Sequence, residues 1–476
     1  MAWRDGTLGT LTLHTPPAFG INFPGFHGRR KEWGRSVMPD PPANPHRRLL
    51  LTAALGCVLP GCRKEPDAPA PKPVPPASAG WLLTAGASPP DWSKLDPWQR
   101  AVTKDEFVRV LENVLTEPGA WISHIEVRDH AALIRMATPR KDGPRYVLEF
   151  APPGSTPPPG PRYWRRLEEL PALRDPARPL EGLHIALDPG HIGGSWAQME
   201  ERSNQTGDAP PVKEGDLTLR TARVLAPQLE ALGAKVSYVR NRPEPVTAVR
   251  PGDLEDEARA SLEKSGAETN SEAVTKETER LFYRAHEVRA RGALVNEALR
   301  PDLVLCLHFN ADVWGNAERT VFSSANHLHV LAHGYILSGE FSLDDQRFEG
   351  LMRLVQGVSD TEIPLCNAVA KRMAEATGLP PFNYRMRAAL QYNARMVEGQ
   401  PYVWMRNLIA NRVYQCPVVF CEPYVQNNGE VVARFQAGDY EGTASVAGQE
   451  RISIFREYAS GVVAGLSDYF AARKRE

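Results

Sequence analysis

Apolar residues in the second half of the chain follow two alternating patterns. Short continuous apolar runs, typical of strands buried on both faces of a parallel sheet, occur at 183–188, 234–240, 302–307 and 418–421. Apolar residues at helical spacing lie between or after them, at 216–232, 281–299, 367–377 and 452–473. This alternation predicts an α/β fold with a mostly parallel sheet flanked by helices. Pro227 interrupts the first helical pattern, so we expect a kink or a new helix start there.

Two proline clusters divide the first half of the chain, with six prolines in the eleven residues 66–76 and six in the ten residues 152–161. Proline-rich stretches favour an extended conformation and act as spacers. A helical pattern and three alternating apolar runs lie between the clusters and predict a small α+β domain. We therefore divide the chain into a Pro/Ala-rich linker, the small domain, a Pro-rich linker and the α/β domain, at 63–91, 92–151, 152–180 and 181–476. The role of the small domain is left open by its sequence.

Ahead of the first linker is a segment typical of export. Arg47 and Arg48 precede an apolar run over 49–59, which closes on Leu-Pro-Gly-Cys at 59–62. A basic start, a short apolar stretch and small residues at the end are typical of a secretory signal. The ending resembles a bacterial lipobox, in which the cysteine receives the lipid, although Pro60 departs from that motif. We predict a lipid on Cys62, with plain secretion or a short buried helix as alternatives.

Secretory signals begin at the N-terminus of a chain, whereas this one is preceded by 37 residues. We therefore interpret 1–37 as an extension in front of the true start at Met38, and 38–62 as a lipoprotein-type signal peptide. The expected location is the periplasm, with the protein anchored to a membrane through Cys62.

Composition narrows the choice of function class. The chain has 476 residues and a net charge of −1, with 24% charged and 42% hydrophobic residues. This balance is that of a globular protein. No basic block dominates, so we expect no nucleic-acid partner. Six cysteines are too few for a scaffold held by disulfides.

Three of the predicted strands end in residues that can bind a metal or move a proton. His191, His308 and Glu422 follow apolar runs, and Glu214 comes just before a predicted helix. Two imidazoles and one carboxylate leave a fourth position open on zinc, as a hydrolytic site requires. A second carboxylate can then take the proton of a water molecule. The alternative is that each histidine is a structural residue at a strand end.

The same residues resemble a known family. Four motifs occur in the order seen in zinc-dependent N-acetylmuramoyl-L-alanine amidases of the type-three amidase family, namely Asp-Pro-Gly-His at 188–191, Glu214, 305–311 and 418–428. The resemblance covers about 182–471. It implies hydrolysis of the amide that joins muramic acid to the first alanine of the peptidoglycan stem peptide. Peptidoglycan is then the expected partner.

By this resemblance, His191, Glu214 and His308 bind Zn²⁺, and Glu422 is the general base. Two departures leave other functions open: Ile192 interrupts the usual His-Gly-Gly, and Pro423 follows the base in place of glycine. A catalytically silent peptidoglycan-binding lipoprotein, or a zinc peptidase acting on another amide, are the alternatives.

Three segments have the composition of insertions, at 195–212, 242–275 and 339–364. In some members of the family an inserted helix covers the zinc until an activator protein displaces it. The carboxylates available for this role are Asp344, Asp345 and Glu349. A surface excursion is the alternative, and an activator protein is a further expected partner.

Other side chains are candidates for contacting substrate. Asn310 follows a predicted ligand, and Arg385 and Arg387 carry charges that suit the carboxylates of a stem peptide. A local turn for the asparagine and solvated charges for the arginines are the alternatives. His327 and His329 share one face of a strand, where they either line the substrate groove or ligate a metal.

Four cysteines of the α/β domain were weighed in the same way. Cys306 and Cys421 lie next to predicted site residues inside apolar strands, so we interpret them as core residues rather than thiolate ligands. Cys366 and Cys416 are candidates for a disulfide in an oxidising compartment, with free thiols as the alternative.

Overall fold

In the computed structural model, a seven-stranded sheet and a three-stranded sheet organise the chain. The structure describes residues 80–140, 142–157, 160–205, 209–312, 314, 321–387 and 390–473, all of which belong to one compact unit. The predicted signal peptide, Cys62 and most of the first linker lie outside the described residues.

The strands in chain order are Ile125–Val127 (β1), Ala131–Arg135 (β2), Arg145–Glu149 (β3), His184–Pro189 (β4), Ser203–Asn204 (β5), Val212–Lys213 (β6), Lys235–Tyr238 (β7), Leu303–Leu307 (β8), Leu328–Ala332 (β9), Arg395–Met396 (β10), Val403–Met405 (β11), Val418–Pro423 (β12), Thr443–Val446 (β13) and Gln449–Ile452 (β14).

The α-helices are Lys104–Val110 (α1), Trp196–Met199 (α2), Glu214–Ala231 (α3), Glu255–Ser265 (α4), Ser271–Leu281 (α5), Glu287–Ala293 (α6), Ser338–Phe341 (α7), Asp344–Val355 (α8), Val358–Thr377 (α9), Ile409–Arg412 (α10), Gly429–Ala437 (α11) and Ile454–Ala471 (α12). Wider π-helical turns follow α1, α5 and α6, at Leu111–Leu115, Phe282–His286 and Leu294–Leu299. Over the described ranges, no helix has both the length and the apolar character needed to cross a membrane.

The large sheet has the strand order β10-β11-β9-β12-β8-β4-β7. Its centre is parallel, because β12, β8, β4 and β7 all run in the same direction. The β9 strand is antiparallel to β12 and parallel to β11, and β10 pairs antiparallel with β11. The prediction of a mostly parallel sheet flanked by helices is confirmed.

Each face of this sheet has its own core. Alternate residues such as Leu305 and Val419 pack against α3, α9 and α12. The residues between them, such as Cys306 and Phe420, face a second core built from segments on both sides of the sheet sequence. Side chains alternate along a strand, so β8 and β12 extend this second face to His308 and Glu422.

The α3 helix does not start afresh at Pro227. It runs without interruption from Glu214 to Ala231, because Leu225 and Leu229 pack into the first core on either side of the proline. Glu214, expected just before the helix, is its first residue. Its carboxylate is therefore placed by the start of a helix anchored against the sheet.

The small sheet pairs β1, β2 and β3 antiparallel and shares a core with α8. Phe107, Ile134 and Leu148 belong to the same buried cluster as Phe348 and Leu351. The expectation of a surface excursion over 339–364 is wrong, because most residues of α8 are buried.

This shared core contains a histidine that should make the protein sensitive to acid. His124 is buried, and burial with the nearby Arg347 guanidinium lowers its pKa to about 4. The unfolded chain binds that proton below about pH 6.5, so stability is full above that value and falls as the pH drops towards 4. Between pH 7 and pH 5 we expect a loss of up to about 2 kcal/mol in the free energy of unfolding.

Urea unfolding at pH 7 and pH 5 measures this loss. His124→Asn should lose less stability between the two pH values than the parent chain. His130→Asn, at an exposed position, should behave as the parent does. An equal loss in parent and His124→Asn would contradict the assignment.

Candidate metal centre

The predicted site residues lie along one edge of the large sheet, where neighbouring strands end. His191 follows β4 by two residues, and His308 follows β8 directly. Cys421 of β12 pairs with Leu307 of β8, and the His308 N–H donates to the Cys421 carbonyl at 3.0 Å. Glu422 therefore lies beside His308. Functional sites of open parallel sheets collect at such carboxyl ends.

The structure brings His191, Glu214 and His308 together, with one potential ligand atom from each within 4.8 Å of the others. His191 Nε2 lies 3.3 Å from Glu214 Oε2, and His308 Nδ1 lies 3.4 Å from Glu214 Oε1. Ligand atoms about 2.0–2.2 Å from a tetrahedral zinc are themselves about 3.3–3.6 Å apart. Two imidazoles and one carboxylate at these spacings fit a divalent metal with one position left open.

The charge states of two of these residues suit metal binding. Burial alone would raise the pKa of Glu214, but the imidazoles of His191 and His308 hold it well below its usual range. The Phe309 N–H also donates to Glu214 Oε1 at 3.1 Å. Burial lowers the pKa of His308, which keeps its imidazole neutral. Glu214 therefore stays ionised, and His308 keeps a lone pair available.

A further carboxylate orients His191. Glu200 is buried, and its Oε1 accepts from His191 Nδ1 at 2.7 Å while its Oε2 accepts from the Ile192 N–H at 2.7 Å. This fixes the imidazole with Nε2 towards Glu214, as carboxylate partners do for metal-binding histidines. Burial opposes the charged form of His191, but Glu214 and Glu200 outweigh it and raise its pKa to about 9. Metal binding at neutral pH therefore displaces a proton from His191.

Glu200 was missed by the sequence analysis, since a carboxylate nine residues after a histidine belongs to no motif. We expect Glu200→Gln to weaken metal affinity about 10–100-fold, because an amide holds the imidazole less firmly than a carboxylate. Competition with a chromophoric chelator measures the affinity. Glu201→Gln, at the exposed next position, is the matched control. Equal affinities in both variants would contradict the orienting role.

The backbone at His191 has a φ of 60°, a left-handed conformation that is uncommon for a residue other than glycine. Arg291 holds it there, because its Nη2 donates to the His191 carbonyl at 2.7 Å. The same guanidinium donates through Nη1 to Asp188 Oδ1 and to the Pro189 carbonyl, each at 2.9 Å. This buried arginine thus sets the direction in which His191 leaves the strand.

Ile192, the departure from His-Gly-Gly, has a structural reason. Its side chain is 1% exposed and packs in a cluster with Leu254, Val274 and Phe282. These residues belong to the predicted insertion at 242–275 or follow it directly, and the insertion forms α4 and part of α5. Ile192 therefore joins the loop that carries His191 to the inserted helices.

Glu422 lies beside the three-residue group without belonging to it. Burial and the negative charge of Glu214 raise its pKa to about 8. A carboxyl group with such a pKa can hold or release a proton near neutral pH, which is what a general base requires.

The three candidates for substrate contact have different surroundings. Asn310 accepts from the Ala311 N–H at 2.8 Å, and its backbone bridges to Val425; this is the local turn named as the alternative. Arg387 forms an ion pair with Asp312 at 2.6 Å. Arg385 is exposed. Contact of any of these residues with substrate stays a prediction.

The cysteines and the proposed occluding residues have other roles. Cys306, Cys366, Cys416 and Cys421 are buried free thiols, so Cys366 and Cys416 do not form a disulfide here. The described metal group contains no cysteine.

The three carboxylates considered for covering the metal form ion pairs elsewhere. Asp344 pairs with Arg347, and Asp345 and Glu349 both pair with Arg289. None of the three belongs to the metal group found among the described residues. The hypothesis that they cover the metal is therefore not supported by their placement.

No family model matches this chain, and no curated protein matches it. Solved structures do match. The N-acetylmuramyl-L-alanine amidase of Mycobacterium smegmatis is 17% identical with a TM-score of 0.34, over 61% of this chain and 98% of that one. The apo form of the Mycobacterium abscessus amidase is 16% identical with a TM-score of 0.33, over 61% of this chain and 99% of that one.

A third similar structure is the CwlD amidase of Clostridioides difficile, solved in complex with the GerS lipoprotein. It is 11% identical with a TM-score of 0.32, over 60% of this chain and 98% of that one. At such low identities, the chemistry of this site has to be derived from its own residues.

Proposed function

We propose that this chain is a zinc-dependent N-acetylmuramoyl-L-alanine amidase, which hydrolyses the amide between N-acetylmuramic acid and L-alanine in peptidoglycan. The observation that carries the proposal is the buried group of His191, Glu214 and His308 with a carboxyl group on the next strand. The order of the motifs along the sequence supports the choice of substrate.

His191, Glu214 and His308 would hold the zinc ion. When bound, zinc supplies Lewis acidity towards a carbonyl oxygen and a water molecule. Zinc prefers such mixed nitrogen and oxygen ligands, and three protein ligands are typical of its catalytic sites. Glu200 and Arg291 keep His191 in place, so the ligand set is organised before metal binds.

Glu422 is the residue that moves protons. Its carboxylate takes a proton from the attacking water and returns it to the nitrogen that leaves the cleaved amide. An amide nitrogen is a poor leaving group unless it is protonated, so the return of the proton matters as much as its removal. The raised pKa of Glu422 suits both steps.

We further propose export and a lipid on Cys62, which would place the enzyme at a membrane facing the cell wall. The apolar run and the cysteine at its end support this. Membrane fractionation of the parent chain and of Cys62→Ala tests it: the variant should leave the membrane fraction. The requirement for an activator protein stays a prediction.

Incubating the purified chain with peptidoglycan sacculi tests the activity. Mass spectrometry should find released stem peptides with a free alanine N-terminus, and a chelator should abolish their release. Cleavage at another amide would favour the zinc peptidase. Sacculi that are bound but not cleaved by the zinc-loaded chain would favour the silent binding protein.

A further inference from the structure

His329 lies on the opposite side of Glu422 from the metal group. In the antiparallel pairing of β12 with β9, Glu422 is directly opposite His329. Residues paired in this way extend their side chains on the same face of a sheet, with Cβ atoms about 4.5–5.5 Å apart. His308, Glu422 and His329 therefore form a row across three neighbouring strands.

Two further side chains fix the protonation of His329. The Tyr384 hydroxyl lies 3.3 Å from His329 Nε2 and 3.3 Å from Arg406 Nη1. A guanidinium can only donate hydrogen bonds, so the hydroxyl accepts from Arg406 and donates its own proton to His329. Nε2 of His329 is thus an acceptor, and a neutral ring with that arrangement carries its proton on Nδ1.

The Nδ1–H of His329 has no hydrogen-bond partner among the described residues, although the side chain is 3% exposed. Buried donors are nearly always paired, and an unpaired one destabilises the fold unless a partner arrives. The ring stays neutral, because burial and the nearby His327 and Arg406 hold its pKa well below the usual range. The site therefore presents a neutral N–H donor beside the proposed base.

We propose that the His329 Nδ1–H binds a carbonyl oxygen of the substrate, on an amide next to the one that is cleaved. This rests on the proposed function, because the row of side chains places His329 next to Glu422. An amide carbonyl suits a neutral donor, whereas a substrate carboxylate would be repelled by the charges of Glu422 and Glu214. Tyr384 and Arg406 are positioning residues that act through His329.

Nitrogen NMR of the imidazole tests the orientation independently of activity. The parent chain and Tyr402→Phe should show His329 protonated on Nδ1, since the Tyr402 hydroxyl donates elsewhere, to the Leu379 carbonyl at 3.1 Å. Tyr384→Phe should show a mixture of both protonated nitrogens, because it removes the donor to Nε2. A parent ring protonated on Nε2 would overturn the proposal.

Binding of a soluble N-acetylmuramyl peptide to the metal-free chain tests the contact itself. We expect His329→Gln to weaken the affinity about tenfold, the effect of one lost hydrogen bond, and His329→Asn, whose amide nitrogen replaces Nδ1, to weaken it less. Metal affinity should stay at the parental value in both. Equal affinity in all three chains, or no binding by the parent, would overturn the proposal.

These results separate the two proposals. Failure to release alanine-terminated peptides from sacculi counts against the amidase, whereas the NMR and binding measurements need no hydrolysis. An amidase that binds the muramyl peptide equally well without His329 would keep its proposed function and lose this inference.

Discussion

Replacing Glu422 with glutamine is expected to lower the rate of amide hydrolysis about 10²–10⁴-fold, the range that proton transfer by a positioned side chain supplies. Glutamine has nearly the same shape but cannot take a proton from water. Glu422 is outside the group of ligand atoms, so the variant should bind metal as the parent does. Release of peptides from sacculi, measured with the zinc content of the same samples, gives both quantities.

Glu441→Gln is the control for this variant, because it makes the same chemical change on a side chain that is 87% exposed. It should keep the parental rate. A Glu422→Gln protein that retains its zinc and hydrolyses at the parental rate would contradict the role of the base. Loss of zinc from that variant would instead assign Glu422 to the ligands.

Replacing Gly190 with alanine is expected to lower metal affinity at least about a hundredfold, comparable to or beyond the loss of an orienting partner. A Cβ atom at this position would lie 2.2 Å from His308 Cε1. The imidazole cannot move away easily, because it stacks on Phe420 with ring centroids 4.3 Å apart and planes 13° apart. Gly190 does not have a positive φ, so the effect would come from the collision with His308.

Chelator competition measures the metal affinity, and circular dichroism shows whether the variant is folded. Gly252→Ala is the control, because a Cβ there meets nothing within 4 Å, and it should bind metal as the parent does. A folded Gly190→Ala protein with parental affinity would show that His308 is not a ligand in this position.

The sequence predicted the centre of the fold because parallel strands buried on both faces are continuous apolar runs. It predicted the grouping of His191 and His308 for the same reason, since residues that end neighbouring parallel strands meet at one edge. Glu214 was found through its place ahead of a helix and through the family resemblance. These signals are local in sequence and survive without knowledge of tertiary contacts.

Other features depend on contacts that no local pattern encodes. The α8 helix contains Asp344, Asp345 and Arg347, which indicate a surface segment, yet these charges are buried in ion pairs. Polarity alone cannot distinguish a solvated charge from a buried, paired one. Glu200 likewise meets His191 through the path of a loop.

The antiparallel placement of β9 was also beyond the sequence analysis, because strand order is decided by tertiary pairing. His327 and His329 were expected on one face of a strand, but their position relative to Glu422 depends on β9 lying beside β12. The row from His308 to His329 appears only when the register of the sheet is known.

The central claim is that His191, Glu214 and His308 form a zinc site, and anomalous X-ray scattering of crystals at the zinc edge tests it most directly. We predict one zinc ion per chain, within bonding distance of these three side chains, and its absence from crystals of Glu214→Gln. A zinc ion bound elsewhere, or its persistence in the variant, would contradict the account, as would a zinc-saturated crystal without anomalous signal at these residues.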